Sequence, residues 1–206
     1  MVENISTIKL EIINLFRGNY FGQFYIREMA KLIGKSHVSL LPHLKEFEKN
    51  KFLLSKQVGK SKVYSINFDN NQVREFLSLS EKKKTLSLLN QEFLIKKLYD
   101  EFLNLNLDGC LVLFGSHASG NSTNESDIDL LYIGGIKESE RKKIIDFGKT
   151  YKKEIHLVAM TLKQFKEQLF KQGALIKEIV KNHVTLYNHD IFINEVWRYY
   201  YEKRER

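Results

Sequence analysis

Two carboxylates one residue apart follow a glycine–serine pair after a gap of ten residues. Gly115 and Ser116 end one apolar run, and Asp127 and Asp129 stand at the start of the next. Because alternate side chains of a strand share one face, we expect the two aspartates to project together. Neighbouring carboxylates repel each other, and a cation between them relieves that repulsion. Hard oxygen ligands at this spacing predict a Mg²⁺ site.

The glycine–serine pair is suited to holding phosphate. Gly115 has no side chain, so the backbone can approach a triphosphate closely, and the Ser116 hydroxyl and nearby amides can hold its oxygens. Mg²⁺ usually keeps several waters and takes further ligands from substrate phosphates. The two motifs together predict a site for a magnesium–nucleoside triphosphate complex at the mouth of two buried strands.

The string LFGSHASGNSTNESDIDLLYIGG resembles the signature of the polymerase-β nucleotidyltransferase superfamily, and GSHASGNSTNESDID is especially similar to its minimal nucleotidyltransferase branch. The resemblance covers about residues 108–190. It implies a mixed-sheet α/β palm in which three carboxylates hold two Mg²⁺ ions. A hydroxyl acceptor then attacks the α-phosphate of a nucleoside triphosphate and expels pyrophosphate. By this match Gly115 and Ser116 bind the triphosphate, and Asp127 and Asp129 are catalytic metal ligands.

The resemblance places a third carboxylate on a later strand, and the candidate strand is EIHLVAM, residues 154–160. Glu154 and His156 share one face of that strand. Alignment of IHLV with the family's usual apolar-Asp-apolar strand puts His156 in the position of the aspartate. Regulators that join a winged helix to such a domain often carry Glu-Ile-Asn-like strings there, which favours Glu154. We predict Glu154 as the third catalytic and metal-binding carboxylate, with His156 as the alternative occupant.

The first third of the chain has the pattern of a small DNA-binding domain. Apolar residues recur at helical spacing in three segments, of which the second ends at Gly34 and the third is capped by Ser36. Two β-prone runs around Gly59 and Lys60 predict a hairpin. Residues 5–68 therefore resemble the winged helix-turn-helix of prokaryotic transcription regulators.

The third helix of this segment would read DNA, and the hairpin lysines would contact phosphates. Up to Asp69 the chain carries eleven Lys and Arg against six Asp and Glu. Pro42 predicts a kink in the third helix, or a start later than Ser36. Protein binding or dimerisation is the alternative role. The side chains predicted to face inward are Val38, Leu41, Leu44 and Phe47. The predicted DNA contacts are His37, Ser39, His43, Lys45, Lys56, Lys60 and Lys62.

Residues 70–106 contain no glycine or proline and repeat apolar residues at helical spacing, which predicts a helical connector with a break near Ser80. The predicted fold class is therefore α+β. The predicted domains are a winged helix-turn-helix at 1–69, the connector at 70–106, and a mixed-sheet nucleotidyltransferase-like domain with C-terminal helices at 107–206.

Composition favours a cytoplasmic protein. The longest apolar runs are far shorter than the roughly 20 residues that a membrane span needs, and Glu3 and Asn4 follow Met1 in place of a basic and then apolar leader. The single cysteine, Cys110, lies in an apolar run and is expected to be a buried thiol. The net charge of +8 is consistent with a polyanionic partner.

These patterns predict a Mg²⁺-dependent nucleotidyltransferase that moves a nucleoside monophosphate to a hydroxyl on a protein, an RNA or a small molecule. The winged helix adds DNA binding and an expected homodimer. By resemblance to toxin–antitoxin pairs, a toxin protein is a further candidate partner. The alternative is a DNA-binding transcription regulator whose second domain only senses nucleotide or is inactive. An antitoxin-like autoregulator would combine both roles.

Overall fold

The computed structural model describes residues 6–204 and divides them into two compact units. The first unit contains the described residues up to Ser80 and those from Tyr200 onward, and the second contains Glu81–Tyr199. The expectations for residue 5 and for the last two residues lie outside the described part of the chain.

The first unit contains three complete helices, the first part of a fourth, the last residues of the C-terminal helix, and a three-stranded antiparallel sheet of order β1-β3-β2. The hairpin of β2 and β3 turns at Gly59 and Lys60, as predicted. The two residues of β1 pair with β3, a pairing that the sequence pattern does not predict. The elements are α1 (Thr7–Asn14), β1 (Phe24–Tyr25), α2 (Ile26–Ile33), α3 (His37–Lys49), β2 (Leu53–Val58) and β3 (Ser61–Ile66).

Local capping explains where α2 ends and where α3 begins. Gly34 adopts a left-handed conformation at φ 71° and closes α2. The Ser36 hydroxyl accepts a hydrogen bond from the Ser39 amide and caps α3, which confirms both predicted boundaries. The later start that Pro42 suggested is wrong, because α3 begins at His37 and contains Pro42.

The inward face of α3 differs from the predicted one. Leu40, Leu44 and Phe47 are buried at a spacing of four and three residues. The prediction that Val38 and Leu41 face inward is wrong, since they are 62% and 37% exposed. A stripe at i, i+4 and i+7 fits a helical face as well as the predicted one does, and only packing decides between them.

The second unit contains a four-stranded sheet surrounded by helices. Helix α4 runs unbroken through Ser80, so the predicted break there is wrong; the chain leaves the helical conformation at Glu92 instead. Helix α4 begins in the first unit. The elements are α4 (Gln72–Gln91), α5 (Phe93–Asn104), β4 (Cys110–Phe114), α6 (Gly115–Ser119), β5 (Ile128–Ile133), α7 (Glu138–Thr150), β6 (Ile155–Met160), α8 (Leu162–Lys171), α9 (Ala174–Lys181), β7 (Val184–Tyr187) and α10 (His189–Lys203).

The sheet of the second unit has the order β6-β5-β4-β7. Strand β4 pairs antiparallel with β5 and β7, whereas β5 pairs parallel with β6. The predicted α+β class with a mixed sheet is therefore confirmed for this unit. All five residues of β4 are buried, including the free thiol of Cys110, whose pKa is raised by burial. A fully buried, apolar central strand of this kind fixes the positions of the turn that follows it and of the strand beside it.

Among residues 6–204, no helix is both long enough and apolar enough to cross a membrane.

Candidate metal and nucleotide site

The turn after β4 brings the backbone against an aspartate. Phe114 pairs with Asp129 across the sheet, and Gly115 follows at φ 68°. A Cβ atom at Gly115 would collide with the Asp129 carboxylate. Both the left-handed conformation and the lack of space beside Asp129 require glycine here. The predicted approach of this backbone to a triphosphate stays a prediction.

Residues Gly115–Ser119 form one short helix, α6, where a loop was expected. The helix closes at Gly120, which is left-handed at φ 72°. The carbonyl of Ser116 accepts hydrogen bonds from the Ser119 hydroxyl at 2.9 Å and from the Asn121 amide at 3.0 Å. The Ser116 side chain is half-buried. Its predicted contact with phosphate stays a prediction.

Asp127 and Asp129 stand at the entrance of β5. Asp127 directly precedes the strand and Asp129 is its second residue, and both are partly exposed. Ile128 and Leu130 are fully buried on the opposite face. The alternation that predicted a shared face for the two carboxylates is therefore observed.

Strand β6 adds a second pair of polar residues beside the first. The Ile128 amide donates to the Glu154 carbonyl at 2.9 Å, and Asp129 lies in register with His156. The His156 ring lies between two carboxylates, with Nδ1 3.3 Å from Asp129 Oδ1 and Nε2 3.0 Å from Glu154 Oε1. The hydrogen bond with Glu154, joined by that with Asp129, raises the pKa of His156.

Three side chains at this entrance are arranged as metal ligands. One potential ligand atom each from Asp127, Glu154 and His156 lies within 4.8 Å of the other two. Two carboxylates and an imidazole form a donor set that binds divalent cations. The residues present therefore fit a metal ion, although Asp129 contacts His156 and is not a member of this group of three.

A second histidine–carboxylate contact fixes the turn behind the site. His117 of α6 is buried and its Nδ1 lies 2.7 Å from Glu92 Oε2; the Ser122 hydroxyl is 3.5 Å from the other Glu92 oxygen. Glu92 is the residue between α4 and α5 whose backbone is extended. Sequence reasoning missed it, because it lies 25 residues before His117 with no local motif to connect them.

The predicted DNA contacts of the first unit are only partly brought together. His37, Lys60 and Lys62 line one shallow pocket, where Arg27 and Tyr25 join them. Lys62 is paired with Glu48 at 2.9 Å, and this hydrogen bond raises the pKa of Lys62. The remaining predicted contacts do not line that pocket, and all of them are at least partly exposed. They are Ser39, His43, Lys45 and Lys56.

Residues 95–187 match the family described as the nucleotidyltransferase domain. The matched segment runs from α5 to β7 and contains the glycine–serine turn, Asp127, Asp129, Glu154 and His156. Searches of the curated proteins and of the solved structures find no significant match. The family match supports a nucleotidyltransferase domain in this segment and, in general terms, nucleotidyl transfer.

Proposed function

We propose that this protein is a Mg²⁺-dependent nucleotidyltransferase with a DNA-binding winged helix. The transferred group would be a nucleoside monophosphate from a nucleoside triphosphate, and the acceptor a hydroxyl of a protein, an RNA or a small molecule. The observation that carries the proposal is the group of potential metal ligands Asp127, Glu154 and His156, with Asp129 between His156 and the Gly115 turn, within a segment that matches the nucleotidyltransferase domain.

Each residue of the site has a defined part in this reaction. Gly115 and Ser116 hold the triphosphate, while Asp127, Asp129 and Glu154 hold two Mg²⁺ ions. When bound, Mg²⁺ would neutralise phosphate charge and favour ionisation of the acceptor hydroxyl. The acceptor oxygen forms a bond to the α-phosphorus, the bond between the α-phosphorus and the bridging oxygen breaks, and pyrophosphate leaves. The fixed turn and strands contribute by orienting these groups before reaction.

The first domain, residues 1–69, is proposed to bind DNA as a winged helix-turn-helix, followed by the connector at 70–106 and the transferase domain at 107–206. Three helices and an antiparallel hairpin support this proposal. Lysines on the exposed hairpin suit phosphate contacts. The proposed DNA contacts are His37, Ser39, His43, Lys45, Lys56, Lys60 and Lys62.

The test of transfer mixes the purified protein and Mg²⁺ with each α-³²P-labelled nucleoside triphosphate and lysate from its own source organism. An Asp127→Ala/Asp129→Ala variant is the control. We expect a labelled protein, RNA or small molecule that is absent with the variant. Complete lack of label with every nucleotide, despite measurable nucleotide binding, would contradict the proposed transfer.

A transcription regulator with a nucleotide-sensing or inactive second domain is the second candidate. His156 supports it, because this residue pairs in register with Asp129 where the family resemblance implies an aspartate. Under this alternative, magnesium–nucleotide would change operator affinity without any transfer. An antitoxin-like autoregulator with a toxin partner, acting as a homodimer on a palindromic operator, would combine the two functions. Gel-shift titrations with and without magnesium–nucleotide separate these cases.

A further inference from the structure

We propose that Asp127, Glu154 and His156 form a position selective for a divalent transition-metal ion such as Mn²⁺ over Mg²⁺, with Asp129 orienting the imidazole. The inference rests on the proposed function, because this would be one of the two ion positions of the transferase. It is drawn from the placement of His156 among the three carboxylates.

The first step is the spacing of the donor atoms. His156 Nε2 and Glu154 Oε1 are 3.0 Å apart. Neighbouring ligands of an octahedral ion with bonds of roughly 2.1 Å are themselves about 3 Å apart. One potential ligand atom from each of Asp127, Glu154 and His156 lies within 4.8 Å of the other two. A single ion can therefore contact all three residues after small side-chain adjustments.

The second step concerns the different roles of the two ring nitrogens of His156. Nδ1 of His156 lies 3.3 Å from Asp129 Oδ1, on the opposite side of the ring from Glu154. A metal-bound histidine almost always donates its other N–H to a carboxylate or carbonyl, which fixes the tautomer and strengthens the ligand. Asp129 Oδ1 occupies that place, so at this ion position Asp129 positions His156, and its proposed role as a ligand belongs to the other ion position.

The third step is accessibility. The side chains of His156 and Glu154 are 51% and 70% exposed, so an ion can enter from solvent without opening the fold. The parallel pairing of β5 and β6 holds the ligands together. Asp127 directly precedes β5, Glu154 directly precedes β6, and a backbone hydrogen bond links Ile128 to Glu154.

The fourth step is ligand chemistry. Mg²⁺ takes oxygen ligands and retains water, whereas imidazole nitrogen favours transition metals, whose affinities for such sites rise from Mn²⁺ towards Cu²⁺. An all-carboxylate site lacks this preference for nitrogen-binding ions. Replacing the imidazole with a carboxylate should therefore move the site towards Mg²⁺ while leaving its charge and position suitable for a cation.

The experiment measures Mn²⁺ binding to the metal-free full-length protein by electron paramagnetic resonance, with Mg²⁺ as competitor. His156→Asp is the test variant, and His43→Asp, the same substitution in the other unit, is the matched control. We expect the ratio of Mn²⁺ to Mg²⁺ affinity to fall about tenfold or more in His156→Asp. Mutations around metal sites in other proteins reduce metal affinity by roughly 10- to 100-fold. His43→Asp should retain the wild-type ratio.

Co²⁺ supplies an independent signature. The visible absorption of bound Co²⁺ depends on the type of ligand. The Co²⁺ spectrum of His156→Asp should therefore differ from that of the wild type, and the spectrum of His43→Asp should match it. Asp129→Asn should weaken Mn²⁺ binding while retaining a nitrogen-ligated Co²⁺ spectrum. Equal metal ratios and identical Co²⁺ spectra in wild type and folded His156→Asp would overturn the inference.

The transfer assay separates this inference from the proposed function. One outcome is that label transfer depends on Asp127 while the ratio of Mn²⁺ to Mg²⁺ affinity is the same with and without His156. This outcome would overturn the metal preference and still support the proposed transferase. Selectivity that depends on His156, without label transfer from any nucleotide, would support the metal site and contradict the transferase.

Discussion

Two histidine–carboxylate contacts in the second unit differ mainly in burial. The His117 side chain is 7% exposed and lies 2.7 Å from Glu92, whereas the His156 side chain is 51% exposed and lies 3.0 Å from Glu154. The pairs contain the same chemical groups at similar distances. Burial makes the first a fixed support for the Gly115 turn, while exposure leaves the second available to a ligand.

The energetic reason lies in the solvent. Breaking a buried pair strands a polar group that water cannot reach, which destabilises the fold. An exposed pair exchanges its partner for water at little loss of stability. A contact with His156 therefore contributes little to folding and can be traded for a metal ion. The contact with His117 cannot be exchanged in this way.

The largest expected effect is a loss of nucleotidyl transfer when the site beside the exposed His156 contact is changed. Asp127→Ala should lower nucleotidyl transfer by at least about a hundredfold, because it removes a proposed metal ligand where even disturbed outer-shell groups matter 10- to 100-fold. Steady-state label transfer measures the loss. The variant should unfold at the wild-type urea midpoint, and transfer that persists near the wild-type rate would remove Asp127 from the site.

The largest effect on stability is expected at the buried side. Glu92→Ala leaves His117 without its carboxylate and should lower the free energy of unfolding by about 2–4 kcal/mol. Trp197, the single tryptophan, is buried in the second unit and reports the urea transition by fluorescence. Glu125→Ala, at an exposed loop residue, is the control and should change stability by less than about 0.5 kcal/mol. If Glu92→Ala and Glu125→Ala destabilised the protein equally, the contrast between the buried and the exposed contact would be wrong.

Alanine substitutions at two glycines separate backbone strain from collision with the site. Gly115 and Gly120 have similar positive φ values of 68° and 72°, but only at Gly115 would a Cβ meet another group, Asp129. Gly120→Ala should destabilise the protein by about 1–2 kcal/mol through its left-handed conformation alone. Gly115→Ala should lose more and should also weaken nucleotide binding in equilibrium titrations. Equal losses would show that the contact with Asp129 is unimportant.

His156→Gln is expected to be nearly silent in folding. Because the imidazole is half exposed, its loss should change the urea midpoint by an amount equivalent to less than about 0.5 kcal/mol. His117→Gln provides the matched comparison and should be clearly destabilised. A large loss of stability in His156→Gln would assign that histidine a structural role and break the contrast.

The smallest expected effect is a change in the pKa of His156. The neighbouring carboxylates raise the pKa of His156, with Glu154 as the larger cause. Its small stabilising contribution is thus fully present below the ordinary histidine pKa of about 6.5 and is lost as pH rises through the raised value. In metal-free protein, NMR titration should find a pKa above the ordinary one. Glu154→Gln should lower it more than Asp129→Asn does.

The chemistry of the site was predictable where it is local in sequence. Gly115, Asp127 and Asp129 lie within one short stretch, and strand alternation alone places both carboxylates on one face. The role of Glu92 was not predictable, because a contact between residues 25 positions apart depends on how α5 packs. The relation of His156 to Asp129 required the register of two strands that are far apart in the chain.

Prediction of the fold from the sequence meets the same limit, because only features that are local in sequence were predictable. The boundary at Gly34 and the cap at Ser36 follow from residue type, and both were predicted. The buried face of α3 was predicted only in part. Leu44 and Phe47 are buried as predicted, but Leu40 is buried in place of Leu41, and the sequence alone does not choose between these adjacent leucines. The two-residue strand β1 is too short to carry a periodic pattern and forms only because β3 lies beside it.

The position of β6 affects how this site can change during evolution. Among the described strands, β6 lies at the edge of its sheet and pairs with β5 alone, while β5 is held on both sides. His156 therefore lies in a strand with one neighbour and Glu154 directly precedes that strand, whereas Asp129 lies in a strand paired on both sides. Under the proposed metal preference, point mutations at this edge would alter the preferred ion while the architecture stays intact. The proposed third ligand position is then the one at which the domain would change its metal, or lose catalysis, without unfolding.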